Sequence, residues 1–305
     1  MDSARAAGLA CAPMARPSPI GWLLALALAP GCPGDPAEPA RAGSGSRGVV
    51  FRRRVPQPGT VIVARRHQRS RLELSQRRGG KRMTVVQGTD QRVETRTTVL
   101  VATDAAVTRK RVEYVGGASE QRIGDRVQRV PNPLLGKTYV LEARDAGLHV
   151  GGSDGAPVSD YERELLEREH GNLGRPSAFA ALLPRRPVAP GERLRPDPET
   201  LARAFGQAGV QVRDASFVLQ SLGEQDGRRL GTFRVAVTLV EEDEQTHRET
   251  RLGGRVVLRV DTCWPVAVEL SGPIEIEGRS PDPSDLHGRG EVSLQVSTQY
   301  ESNGG

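Results

Sequence analysis

The sequence predicts an α+β fold, mainly antiparallel β-sheet in an open or half barrel, with a helical insert near residues 158–208. Three observations carry this: apolar residues alternate with period two along most of the chain, turn residues punctuate the alternating runs, and one capping box opens a helical stretch midway. Polar-out alternation implies strands with one wet face, which excludes a doubly wound parallel sheet. Leu, Ile, Val and Phe make up 70 of the 305 residues, just above the roughly 20% below which a chain cannot offset its ordering entropy. Collagen, coiled coil and a multi-span membrane protein are excluded by composition.

The clearest strands lie in the second half. Phe233, Val235, Val237 and Leu239 share one face, as do Val256, Leu258 and Val260, then Val266, Val268 and Leu270. Val292, Leu294, Val296 and Tyr300 oppose Glu291, Ser293, Gln295 and Gln299. Weaker runs cover residues 60–64, 83–87, 92–101, 107–115, 137–143 and 215–222. Turns are expected at Asp145-Ala146-Gly147 and Thr262-Cys263-Trp264-Pro265, and residues 272–290 read as a long exposed hairpin loop. Midway, Ser159 and Glu162 form the capping box of a helix from Asp160 to His170 that stops at Gly171, with Tyr161, Leu165 and Leu166 as its inner stripe. A second helix starts at Asp197, with Pro198 at its first position and Leu201 and Phe205 one turn apart.

The N-terminus carries an address. Residues 14–32 pair a basic start at Arg16 with an apolar run from Ile20 to Ala29. That run is too short for the roughly 20 residues of a spanning helix and suits the core of a secretory signal. Residues 1–32 therefore read as a signal peptide, with Met14 a more ordinary start than Met1. Gly31-Cys32 resembles the end of a bacterial lipobox, which implies that Cys32 is lipidated. Leu28 stands four residues before the Cys rather than three, and Pro30 is unusual in such a box. Residues 33–48, rich in Pro, Gly, Ala and Ser, form a flexible tether reaching roughly 20 Å. Residues 49–305 form one β-rich domain, in which Cys263 stands alone. If Cys32 escapes lipidation, a Cys32–Cys263 bridge is open to it. This element order behind a tethered N-terminus resembles the open half-barrels of bacterial lipoprotein carriers and lipid-binding lipoproteins, and exported bacterial proteins with a terminal β-meander. The resemblance implies a periplasmic, outer-membrane or secreted protein.

Catalytic signals are weak. Gly151-Gly152-Ser153-Asp154-Gly155 matches the G-x-S-x-G of a nucleophile elbow, but an elbow needs a helix starting at the serine, and here the helix begins at Asp160. The five histidines are scattered, and the pairs Glu167/His170 and Glu244/His247 lack the facing helices of a di-iron site. No metal site, cofactor or catalytic group is expected, and a hydrolase using Ser153 is the alternative. Charge is the stronger signal. Residues 47–82 hold twelve basic residues and one acid, Glu73, whereas residues 83–305 hold 28 basic and 33 acidic. Within that segment Arg65, Arg66, Arg77, Arg78, Lys81 and Arg82 are candidates for binding an anionic membrane surface, each worth roughly 1 kcal/mol there. The other reading is a solvated face docked on the chain's own acids. Export removes nucleic acid as a partner. The expected function is non-catalytic: an exported, lipid-anchored envelope protein that binds an apolar or amphiphilic ligand or an envelope partner. A purely structural, surface-adhering protein is the third class.

Overall fold

The computed structural model describes residues 48–78, 81–197, 200–201, 210–242, 246–278 and 286–301. The described chain is predominantly β, with a small helical part. Strands β1 (Val61–Arg78), β2 (Lys81–Ala102), β3 (Val107–Ile123), β4 (Arg126–Arg129), β5 (Thr138–Arg144) and β6 (Gly147–Gly152) form a first meander. Helices α1 (Asp160–His170) and α2 (Ala178–Leu182) and the short β7 (Arg193–Leu194) follow. A second meander runs through β8 (Val210–Gln225), β9 (Arg228–Glu242), β10 (Thr246–Arg259), β11 (Pro265–Gly278) and β12 (Leu286–Glu301). All twelve strands join one antiparallel sheet in the order β6-β5-β3-β2-β1-β12-β11-β10-β9-β8-β7, with β4 paired to β3, and the sheet does not close.

The first and last long strands meet at the centre of this sheet, with Val61 opposite Glu301 and Gln76 opposite Leu286. That pairing fuses the two meanders. Both local turns form as expected. Arg144 pairs Gly147 across Asp145-Ala146, and the chain turns at Cys263, whose φ is 58°. Gln225 likewise pairs Arg228 across Asp226-Gly227, both at positive φ, a two-residue turn whose twist matches its strands. A line of glycines lets neighbouring strands approach closely. A side chain at Gly254, Gly272 or Gly290 would collide with the backbone oxygens of Glu269, Arg251 and Arg71 respectively, so three adjacent strands admit only glycine there.

One face of the sheet is apolar and the other charged. On the inner face, Phe217, Leu219, Phe233, Val235, Leu252, Val256, Val268, Leu270, Val292 and Leu294 form one core cluster. Val49, Phe51, Phe179, Leu183 and Val188 cap it, and the Phe51 ring sits 5.2 Å from that of Phe233. A second, smaller cluster gathers Val93, Val112, Tyr114, Tyr139, Leu141 and Val150 around Leu166 of α1. On the outer face, arginines and carboxylates pair across strands: Arg65 with Glu94, Arg69 with Asp90, Arg255 with Glu269 and Arg251 with Glu275.

Three expectations are corrected. The loop expected over residues 272–290 is mostly strand, since β11 runs to Gly278 and β12 starts at Leu286; Ile274 and Ile276 are buried, and the run of prolines falls in residues 279–285, outside the described residues. Helix α1 has the expected bounds and capping box, but Tyr161 is 57% exposed, and the buried side is Glu162, Leu166 and His170. A polar inner side is possible because the sheet beneath supplies partners. The helical part is also smaller than an insert over 158–208. Beyond α1 and the five-residue α2, the Asp197 carboxylate caps the helical residues 200–201 where the second helix was expected to start, with Leu201 buried, while residues 202–209, with Phe205, lie outside the described residues.

Candidate functional site

Period two puts alternate β1 residues on the inner face: Ile62, Ala64, Arg66, Gln68 and Ser70 are all buried. Two apolar residues are thus followed by three polar ones, at the seam between the two core clusters. Arg66 is the charged member. Its Nη2 donates to Glu169 Oε1 of α1 at 3.1 Å, with the arginine side chain only 7% exposed. Glu169 Oε2 accepts from the Tyr114 hydroxyl at 2.7 Å, and that oxygen lies 3.2 Å from His170 Nε2. His170 Nδ1 lies in turn 3.2 Å from Nζ of the half-buried Lys110.

These contacts form a chain with one direction. With Lys110 charged, its ammonium donates to Nδ1, Nε2–H donates to the Tyr114 oxygen, the Tyr114 hydroxyl donates to Glu169, and Arg66 donates to the same carboxylate. Burial and the cations Lys110 and Arg66 hold His170 well below the usual imidazole pKa. Burial likewise lowers Lys110 to about 8, opposed by the Glu169 charge. Burial and Glu169 push the Tyr114 phenol well up. The chain thus holds two cations against one anion, a surplus of one positive charge enclosed beneath α1.

Beside it, Arg66 Nε, Gln68 Oε1 and Thr95 Oγ1 are buried polar atoms with no hydrogen-bond partner among the described residues. Thr95 stands between Ala64 of β1 and Tyr114 of β3, and Gln68 is two residues along β1 from Arg66. The strip continues through Ser70, whose hydroxyl meets that of Thr89 at 2.8 Å. At the other end of α1, Glu162 closes the capping box and also bonds Lys137 and the Tyr139 hydroxyl. The Lys137 bond and the Ser159 backbone hold the Glu162 carboxyl down to about 2.

The residues singled out from the sequence scatter over this fold. Cys32 lies outside the described residues. Arg65 points outward, 3.2 Å from Glu94, whereas its neighbour Arg66 is buried against Glu169, so the six basic candidates do not share one face. Arg53 is exposed and donates to the Leu183 carbonyl rather than to a carboxylate. Arg77, Arg78, Lys81 and Arg82 gather at the far tip of the β1–β2 hairpin, where Arg77 is registered opposite Arg82 and Arg78 opposite Lys81. The elbow motif is a turn. Ser153 is exposed at the end of β6, its N–H donates to Thr138 O at 3.1 Å, and the Asp154 carboxylate caps Ala156 N. No helix begins there, and His170 is committed to Tyr114 and Lys110. Ser153→Ala is accordingly expected to leave any esterase activity of the chain unchanged, and a serine-dependent loss would reinstate the hydrolase. Cys263 is fully buried, and burial raises its thiol to about 12, far from a reactive thiolate.

Sequence reading missed Tyr114, Glu169, Gln68, Thr95 and Lys110, and noted His170 only for its spacing from Glu167. The available signal was Arg66 and Gln68 on the face that Ile62 and Ala64 mark as inward.

No protein family matches the chain, and no curated protein does. Solved structures with a faint likeness include DynF from the dynemicin biosynthesis pathway of Micromonospora chersina (10% identity, 88% of this chain and 92% of that one, TM-score 0.20). An outer membrane channel from Pseudomonas putida F1 shares 9% identity over 81% of this chain and 97% of its own, with TM-score 0.22. A mutant porin of Rh. blastica shares 8% over 76% and 99%, with TM-score 0.23. Likeness at this level carries no argument. The residues carry one instead: a membrane-spanning barrel turns an apolar band outward, whereas the described outer face here is laced with ion pairs and the apolar residues point inward.

Proposed function

We propose that this protein is a non-catalytic scaffold of the bacterial cell envelope that holds an amphiphile along the inner face of its open sheet. The observation that carries this is the set of three buried, unpartnered polar atoms at the seam between two apolar clusters. Each such atom costs roughly 1–3 kcal/mol when left bare, so the site calls for a guest. Arg66 Nε–H asks for an acceptor, Gln68 Oε1 for a donor, and Thr95 Oγ1 takes either. With a surplus positive charge alongside, the fitting head is an anionic group that also bears hydroxyls, and the flanking Val, Leu and Phe side chains suit its tail. The envelope address rests on the signal-like residues 14–32 and on Cys32.

Thr95→Val tests this, because it swaps the bare hydroxyl for a methyl of the same shape. In the full chain stripped of lipid, the valine variant is expected to be as stable as the parent or more so, since an unsatisfied group is gone. The same variant is expected to retain phosphatidylglycerol roughly tenfold less well, the equivalent of about 1.4 kcal/mol. A variant that loses stability when stripped, yet keeps its lipid retention, would assign the hydroxyl to an ordered water and remove the head-group site.

A further inference from the structure

The tip of the sheet furthest from the point where the chain enters gathers cations and exposed apolar side chains. Residues 52–54 lie against the β10–β11 turn: Arg52 N donates to Val260 O, Arg54 N to Thr262 O, and Trp264 Nε1 to Arg54 O. Trp264 stacks in turn on Tyr300 near the end of β12, beside the start of β1. Strand β1 then runs 18 residues away from that end, roughly 55–60 Å at about 3.3 Å per residue.

At the far end, Arg77 faces Arg82 and Arg78 faces Lys81 across the hairpin. Like charges at directly opposed strand positions repel; Arg234 opposite Arg255 and Glu249 opposite Glu275 repeat the arrangement elsewhere in the sheet, but there Arg255 meets Glu269 and Glu249 meets Arg251. The neighbouring β3–β4 hairpin lies at the same end, tied down by Gly124 N donating to Val86 O and by Gln87 registered with Ile123. It adds the exposed Arg122, Arg126 and Arg129, of which Arg129 is 3.9 Å from Glu120. Between these cations stand exposed apolar side chains: Met83, Val85, Ile123, Val127 and Val130.

We propose that this double-hairpin tip docks on an anionic lipid bilayer, the cations meeting headgroup phosphates and the apolar residues entering the headgroup layer. The two hairpins, residues 77–82 and 120–130, hold seven basic residues against the acids Glu120 and Asp125, a surplus that suits an anionic counter-surface, where each basic residue contributes roughly 1 kcal/mol. The apolar residues select a bilayer over a nucleic acid, because the tip has no aromatic ring on which a base could stack. The distance from the chain's entry makes docking independent of the tether. The proposal does not depend on the amphiphile site.

The full chain carrying Cys32→Ser, which cannot be acylated there, is the form to test by co-sedimentation with vesicles. It is expected to bind phosphatidylglycerol-containing vesicles and to ignore pure phosphatidylcholine, with binding fading between about 50 and 300 mM salt. The combination Lys81→Gln, Arg82→Gln, Arg126→Gln and Arg129→Gln is expected to weaken binding at least tenfold. Met83→Ser with Val127→Ser is expected to weaken it several-fold, and Arg65→Gln not at all; all these sites are exposed, and unchanged circular dichroism checks the fold. Equal binding to phosphatidylcholine, or loss with Arg65→Gln matching that of the tip variants, would overturn the proposal. Apolar variants that bind as the parent does, with full competition by single-stranded nucleic acid, would overturn it in favour of a general polyanion site.

Discussion

Glu169→Ala lowers the stability of the fold by about 3–5 kcal/mol, the range for removing one partner of a buried ion pair. The variant strands the Arg66 guanidinium, whose Nε already lacks a partner, and takes from Tyr114 the acceptor of its 2.7 Å hydrogen bond. Against a total of roughly 5–15 kcal/mol for a typical domain, the loss is readily measured by urea unfolding. The double change Arg66→Met with Glu169→Leu is expected to recover most of it, because the pair's attraction roughly balances the cost of desolvating both charges. A single variant within about 0.5 kcal/mol of the parent would show that the cluster is hydrated and that its enclosure beneath α1 is wrong.

The sheet was legible because its inner face obeys period two with few exceptions. Val292, Leu294 and Val296 are buried in register with Val268 and Leu270, where alternation put them. Element ends were less legible. Runs of apolar residues mark only the buried middle of each strand, so alternation marks five residues of β1 although it spans eighteen. Its distal half, Arg71-Leu72-Glu73-Leu74-Ser75-Gln76, is held by β2 and β12 rather than by propensity. Which strands neighbour one another was not legible either: the β1–β12 pairing joins residues more than 200 apart, and no local pattern encodes it.

The polar site stayed hidden for a related reason. The spacing of α1 predicts an apolar stripe with Tyr161 inward, because large apolar residues are usually buried. The tertiary partners reverse that expectation. His170 and Glu169 face the sheet because Lys110, Tyr114 and Arg66 wait there, and those three come from two strands 44 or more residues apart. The basic segment was counted as one patch because charge sums ignore strand direction. In the sheet its members divide into an outward residue matched to a carboxylate, an inward one in the buried chain, and four crowded at the tip.

The buried chain also sets the acid limit of the fold. His170 is held neutral, with Nδ1 turned toward the Lys110 ammonium; a proton there would set two cations face to face beneath α1. The folded state therefore binds this proton only well below pH 6.5, while the unfolded chain binds it near 6.5, so stability falls as pH drops through that value. The slope for one proton is about 1.4 kcal/mol per pH unit. Glu162 adds a second stage. Its folded pKa of about 2 lies below its ordinary 4.5, so its contribution is present above pH 4.5 and is lost between 4.5 and 2. Lys110 works on the alkaline side: its pKa falls from 10.5 to about 8, so the unfolded chain holds more protons between those values and stability rises with pH there. Urea midpoints are thus expected to climb from pH 4 to 6.5, level off, and climb again from pH 8 to about 9, above which the raised Cys263 thiol and Tyr114 phenol oppose the Lys110 rise. His170→Gln keeps an acceptor for Lys110 and a donor for Tyr114 but cannot titrate, so its midpoints should be flat from pH 7 to 5 and drop only where Glu162 titrates. A glutamine variant that follows the parent's slope through pH 6 would mean that His170 is charged in the folded protein, and the direction assigned to the hydrogen-bond chain would have to be reversed.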